Sequence, residues 1–60
     1  PINYVIDRRL NDAKWLLINT DKSLVSISEK VGYENTSYFS KLFEKRIHYS
    51  PLEFREKYKK

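Results

Sequence analysis

The chain has 60 residues, with 12 lysines and arginines against 8 acidic residues, so its formal net charge is +4 at pH 7. This length fits one small domain or part of one, which buries only about 60% of the surface that its unfolded form exposes. There is no cysteine, which excludes disulfides and zinc–thiolate sites. The first residues lack the apolar stretch typical of a signal peptide, and no apolar run comes near the roughly 18 residues of a membrane span. We therefore expect a soluble, cytoplasmic domain that does not bind membranes.

The first predicted element is a helix over residues 1–19, because its apolar side chains recur at helical spacing. Its broad apolar face consists of Ile2, Val5, Ile6, Leu10, Ala13, Leu16 and Leu17. Tyr4, Trp15 and Ile18 form a second stripe on nearly the opposite side. That stripe suggests a neighbouring subdomain in a longer protein, although surface aromatics are also often simply half-exposed. Arg9 falls within the broad face, where an unpaired charge is costly, and we expect it to pair with a carboxylate.

Two short helices are next predicted to meet at Gly32, the only glycine of the chain. Ser23 is a favourable N-cap for the first helix, and Gly32 fits the left-handed position that commonly ends one. Asn35 can cap the second helix, which is predicted over about 35–46. Residues 23–46 are thus predicted to form a helix, a sharp turn and a second helix. This arrangement is how many proteins place one helix in the major groove of DNA and brace it with the other.

The second of these helices is expected to have two different faces. Phe39, Leu42, Phe43 and Ile47 point to the predicted core. The outward face mixes hydroxyl groups with lysines: Ser37, Ser40, Lys41, Glu44 and Lys45, with Tyr38 at the border. A last helix over 50–59 is indicated by Ser50-Pro51-Leu52-Glu53, which combines an N-cap, a proline at the first helical position and a glutamate placed for a capping box. The predicted fold is therefore all-α and homeodomain-like, with four helices.

The most specific similarity to known proteins is carried by these residues: Tyr4, Arg9-Leu10, Ala13, Leu16-Leu17, Ile27, Val31-Gly32-Tyr33, Ser37-Tyr38-Phe39, Phe43, Ser50-Pro51 and Phe54-Arg55. In combination they closely resemble the AraC/XylS family of bacterial transcription regulators. In that family two helix-turn-helix units are joined by a long linker helix, so 1–60 resembles the linker helix and the second unit of a larger DNA-binding domain. Two residues depart from the family pattern. His48 stands where glycine is usual, at some cost for a positive φ angle, and Ser28 replaces the usual alanine.

The resemblance implies that the second helix of the pair enters the major groove. By position, the candidate DNA contacts are Thr36, Ser37, Ser40, Lys41 and Tyr38, and three of them (Ser37, Ser40 and Lys41) also lie on the outward face. Ser23 would suit a phosphate at its helix N-terminus. Lys22, Lys45 and Arg46 are further phosphate candidates, with a surface salt bridge equally open for Arg46. The outward face has no Asn, Gln or Arg, the side chains that read base edges with paired hydrogen bonds. We therefore expect this unit to contribute more to affinity and to positioning on the DNA than to recognition of a base sequence.

Other function classes have little support in the sequence. His48 is the only histidine and has no partner at ligand spacing, so no metal is expected, and neither is a cofactor. Without a glycine-rich phosphate loop or a paired general acid and base, we predict that the chain is not an enzyme. We predict a fragment of a sequence-specific transcription regulator that binds double-stranded DNA. The alternative is a small helical protein-interaction module, and the resemblance leaves open a contact with RNA polymerase and a dimeric parent protein.

Overall fold

The computed structural model describes residues 2–59, with side chains from Tyr4 onward, and this part of the chain holds four α-helices and no strand. The helices are α1 (Ile2–Asn19), α2 (Leu24–Lys30), α3 (Thr36–Ile47) and α4 (Pro51–Tyr58). None of them combines the length and the apolar composition that a membrane crossing requires. Pro1, Lys60 and the side chain of Ile2, which the predictions included, lie outside the described residues. The predicted all-α fold of four helices is confirmed.

The core lies where one face of α1 meets the other three helices, and α4 makes the most extensive contact with α1. The buried apolar residues of this core are Leu10, Ala13, Leu16, Leu17, Ile27, Val31, Phe39, Phe43 and Phe54. The rings of α3 and α4 meet at the centre, with the centroids of Phe43 and Phe54 5.6 Å apart in an edge-to-face arrangement. Such pairs stabilise a core beyond the area that they bury. Aromatic contacts therefore hold α3 onto the rest of the domain.

Three residues lie elsewhere than the helical pattern predicted. Val5 is exposed, because it lies at the edge of the broad apolar face of α1. Ile18 packs against the core instead of joining the opposite stripe, since α4 is docked on the last turn of α1 beside it. Leu42 is half-exposed and is not part of the core. Consecutive helical residues are rotated by about 100°, so Leu42 lies on the flank of α3 next to the buried Phe43.

The N-termini of the last three helices are capped by the predicted side chains. Ser23 Oγ accepts a hydrogen bond from the backbone N–H of Ser26 at 3.2 Å, and Asn35 Oδ1 accepts one from Tyr38 at 3.0 Å. At α4, Ser50 Oγ accepts from the Glu53 N–H at 3.2 Å while the Ser50 N–H donates to Glu53 Oε1 at 3.1 Å, which completes the capping box. The Ser50 N–H stabilises the carboxylate and thereby lowers the pKa of Glu53.

Helices α2 and α3 both end at a residue with a positive φ angle. Gly32 has φ +100°, and its N–H donates to Glu29 O at 3.1 Å while the N–H of Tyr33 donates to Ser28 O at 2.8 Å. These two bonds form a Schellman motif, which satisfies carbonyls that a helix end leaves unpaired. His48 has φ 72° and ψ 14°, so the left-handed turn predicted at this position is present without a glycine.

Replacing His48 with glycine is expected to raise the free energy of unfolding by about 0.5–1 kcal/mol. The left-handed conformation costs a non-glycine residue roughly 1–2 kcal/mol, and glycine avoids this cost. Part of the benefit is lost because glycine gives the unfolded chain more conformational entropy. The exposed His48 side chain makes no hydrogen bond within the described part of the chain. Urea unfolding followed by circular dichroism measures the change. His48→Ala keeps the Cβ and should give no gain, and a His48→Gly variant less stable than the original would contradict the argument.

The end of α1 is held by two basic side chains near the C-terminus. Arg55 Nε donates to Leu17 O at 3.0 Å, and Arg55 Nη2 donates to Thr20 O at 3.1 Å and to Lys22 O at 2.8 Å. Lys59 Nζ adds a bond to Thr20 O at 3.1 Å and pairs with Asp21. The hydrogen bond from Lys59 lowers the pKa of Asp21. No local pattern in the sequence indicates this role of Arg55, whose guanidinium can bind several carbonyls at once.

Candidate nucleic-acid interface

The outer face of α3 is the candidate interface, and its predicted polar residues face outward. Ser37, Lys41 and Lys45 are exposed and Ser40 is half-exposed. Tyr38 is 55% exposed. Ser40, Lys41 and Lys45 line a shallow groove together with Glu44 and His48. On the opposite side of the same helix, Phe39 and Phe43 have no exposed surface, so the helix cannot rotate to bury its polar face without losing its anchors.

Arg46 lies behind this face and joins α3 to α1. Its Nη1 is 2.8 Å from Asp7 Oδ1. The surface salt bridge that the sequence left open for Arg46 is therefore present, and its contact with a phosphate stays a prediction. Both side chains retain some exposure, so the pair orients α3 more than it stabilises the fold.

Thr36 begins α3 and connects it to α2. Thr36 Oγ1 lies 3.1 Å from Ser28 Oγ, and the Ser28 hydroxyl also donates to Val25 O at 2.9 Å. Ser28 has no exposed surface, and its contact with Thr36 shows that α2 and the start of α3 approach closely at this small residue. Thr36 is half-buried. Its hydroxyl has a partner within the protein, a contact that helical periodicity does not indicate.

Arg9 holds the turn between α2 and α3 through an aromatic ring. Its guanidinium carbon lies 5.3 Å from the centroid of Tyr33, a cation–π distance. The ring of Tyr33 in turn contacts Tyr38 and Phe39 at centroid distances of 6.0 and 5.8 Å. The prediction of a carboxylate partner for Arg9 is wrong, since the ion pairs found between residues 4 and 59 are those of Arg46 and Lys59. An aromatic face can replace a carboxylate because its quadrupole attracts a cation.

The remaining predicted features are placed as follows. Ser23 and Lys22 are exposed beside the start of α2. Tyr4 and Trp15 on α1 are 63% and 61% exposed, and Trp15 lines a shallow groove with Leu16 and Val31. Within the described part of the chain, no three His, Cys, Asp or Glu residues are grouped so that they could hold a metal ion.

Comparisons with known proteins agree on one kind of domain. A family model described as a helix-turn-helix domain matches residues 1–57. The chain is 51% identical over 59 residues to the uncharacterized HTH-type transcriptional regulator YdiP of Escherichia coli (strain K12). This match covers 98% of the chain and 20% of YdiP. It is 36% identical over 56 residues to the HTH-type transcriptional activator RhaS of Enterobacter sp. (strain 638), covering 93% of the chain and 20% of RhaS. The chain thus spans about a fifth of the length of these curated relatives.

A solved structure is also similar in both sequence and fold. It is the C-terminal domain of the two-component response regulator yesN from Fusobacterium nucleatum subsp. nucleatum, with a TM-score of 0.87 and 34% identity. The match covers 88% of the chain and 52% of that structure. The four-helix arrangement is therefore shared with a domain of a known response regulator.

Proposed function

Because this chain belongs to the AraC-type helix-turn-helix family of bacterial transcription regulators, we propose that it forms part of the DNA-binding region of a longer regulator. Helix α3 enters the major groove, and α2 braces it from behind. The observation that carries this proposal is the outer face of α3, where hydroxyls and lysines are exposed above two fully buried phenylalanines. Such a face can follow the groove while the rest of the domain holds the helix still.

The side chains on α3 have different roles in this proposal. Lys41 donates to guanine O6 and N7 or to a phosphate, and Ser37 and Ser40 make hydrogen bonds of low selectivity. Tyr38 lies at the border of the face and contacts the sugar–phosphate backbone. Lys45 and Ser23 contact phosphates, the latter beside the N-terminal amides of α2. Arg46 is assigned to holding α3 on α1 because it is paired with Asp7.

The place of this unit in the parent protein follows from α1. We assign α1 as the linker helix and residues 1–60 as one helical subdomain of a larger DNA-binding domain. The exposed Tyr4 and Trp15 support this assignment, because large exposed apolar groups often mark a contact surface. A first helix-turn-helix unit would raise the affinity through its effective concentration. Any contact with RNA polymerase, and dimerisation, belong to the longer protein.

A salt titration tests the proposal. Binding of the chain to duplex DNA should weaken steeply with salt, with a log–log slope of about −0.9 for each phosphate contacted. Lys41→Ala is expected to lower the affinity roughly three- to tenfold and to reduce the slope by about one unit. The matched control is Lys57→Ala, which removes the same charge from the exposed side of α4.

Two results would contradict the proposal. If the chain binds no duplex DNA, or binds with no dependence on salt, the protein-interaction module becomes the better explanation. If Lys41→Ala and Lys57→Ala weaken binding equally, the assignment of the outer face of α3 as the interface is wrong.

A further inference from the structure

The hydroxyl proton of Ser28 has a fixed destination. Ser28 Oγ lies 2.9 Å from the backbone oxygen of Val25, which can only accept a hydrogen bond. A serine hydroxyl has one proton, and Ser28 has no exposed surface from which water could compete. Ser28 therefore donates its hydroxyl proton to Val25 O, and toward any other partner Ser28 Oγ can act only as an acceptor.

This arrangement also determines where the proton of Thr36 goes. Thr36 Oγ1 lies 3.1 Å from Ser28 Oγ, and of these two oxygens only Thr36 still has a proton to donate. Thr36 Oγ1 thus donates to Ser28, and Ser28 donates to Val25. The Thr36 hydroxyl keeps lone pairs but has no proton for a third group, so it can act toward a ligand only as an acceptor.

We infer that Thr36 is a specificity-determining residue which selects a base with an exocyclic amino group, adenine or cytosine, on the strand that it contacts. This inference rests on the proposed function, in which the first residues of α3 approach base edges in the major groove. There, adenine N6 and cytosine N4 are donors, whereas guanine O6 and thymine O4 are acceptors. A free threonine hydroxyl can serve either kind of base. The contact with Ser28 removes that freedom, because an acceptor facing O6 or O4 leaves both groups unsatisfied.

The experiment selects sequences from a random duplex DNA library at low ionic strength and sequences the bound fraction. Thr36→Val removes the hydroxyl at nearly constant shape, and the base position whose preference it abolishes is the position that Thr36 contacts. At that position the original chain should favour adenine or cytosine over guanine or thymine roughly three- to tenfold, the value of one hydrogen bond. Ser28→Ala frees the Thr36 proton and should reduce this ratio to near one.

Ser26→Ala is the matched control, because it makes the same change on α2 without touching Thr36, and it should leave the ratio unaltered. Circular dichroism of each variant verifies that the helices are retained. A ratio that survives in Ser28→Ala overturns the inference, and so does a preference for thymine, which would mean that Thr36 presents its methyl group. If the original chain binds no DNA at all, the proposed function fails instead, so the two failures are distinguishable.

Discussion

Arg55→Ala is expected to lower the free energy of unfolding by about 2–4 kcal/mol, since hydrogen bonds to charged groups contribute roughly 1.5–3 kcal/mol each and water replaces part of them. Arg55 donates to three carbonyls, those of Leu17, Thr20 and Lys22. They lie in the last turn of α1 and in the connection that follows it, where a helix leaves carbonyls unpaired and favours a cation. The total stability of a chain this short is only about 3–9 kcal/mol. The substitution therefore removes a large share of it.

Thermal unfolding measures this effect. A loss of 2–4 kcal/mol corresponds to a fall in Tm of more than about 10 °C for a domain of this size. Arg55→Lys keeps the charge but not the planar fork, and a lysine cannot bind the same three carbonyls in that geometry. We expect Arg55→Lys to fall between the original chain and Arg55→Ala. If Arg55→Ala changes Tm by less than a few degrees, the three bonds contribute little and the docking of α4 depends on its apolar contacts alone.

Gly32→Ala is expected to lower the free energy of unfolding by about 2 kcal/mol. Gly32 has φ +100°, a conformation that costs a residue with a Cβ roughly 1–2 kcal/mol. A Cβ there would also lie 3.3 Å from the guanidinium carbon of Arg9. The Arg9 guanidinium, which lies over the ring of Tyr33, must then shift by a few tenths of an ångström, which adds to the loss. Urea unfolding gives the change in stability.

The control for this second experiment is Gly32→Asn. Asparagine tolerates the left-handed region better than alanine, so it should cost less if the backbone conformation is what matters. Equal losses for Ala and Asn would instead attribute the effect to crowding of Arg9. No loss in either variant would contradict both explanations.

The features that could be predicted from the sequence are those set by neighbouring residues. The caps at Ser23, Asn35 and Ser50 and the left-handed turn at Gly32 each depend on a few consecutive residues, and all four are present. The polar face of α3 follows from helical periodicity, and its predicted residues point outward. Their contacts with DNA stay predictions.

The features that the sequence did not reveal depend on how the helices dock. Arg55 meets Leu17 across 38 residues of chain, and no local pattern specifies such a contact. Burial of a charge calls for compensation and predicts a carboxylate partner for Arg9, but the sequence does not reveal that Tyr33 supplies the compensation. Helical spacing predicts that Leu42 faces the core, whereas the packing of the neighbouring helices determines which side chains at the edge of that face are buried.

Both ends of α3 are tied to nearly the same place on α1. The ring of Tyr33, just before α3, lies under Arg9, and Arg46 in its last turn is paired with Asp7. Because the two contacts lie at opposite ends of α3, together they oppose rotation of α3 relative to α1. The orientation of α3 relative to α1 is consequently set by contacts within this chain. It does not depend on what either helix binds.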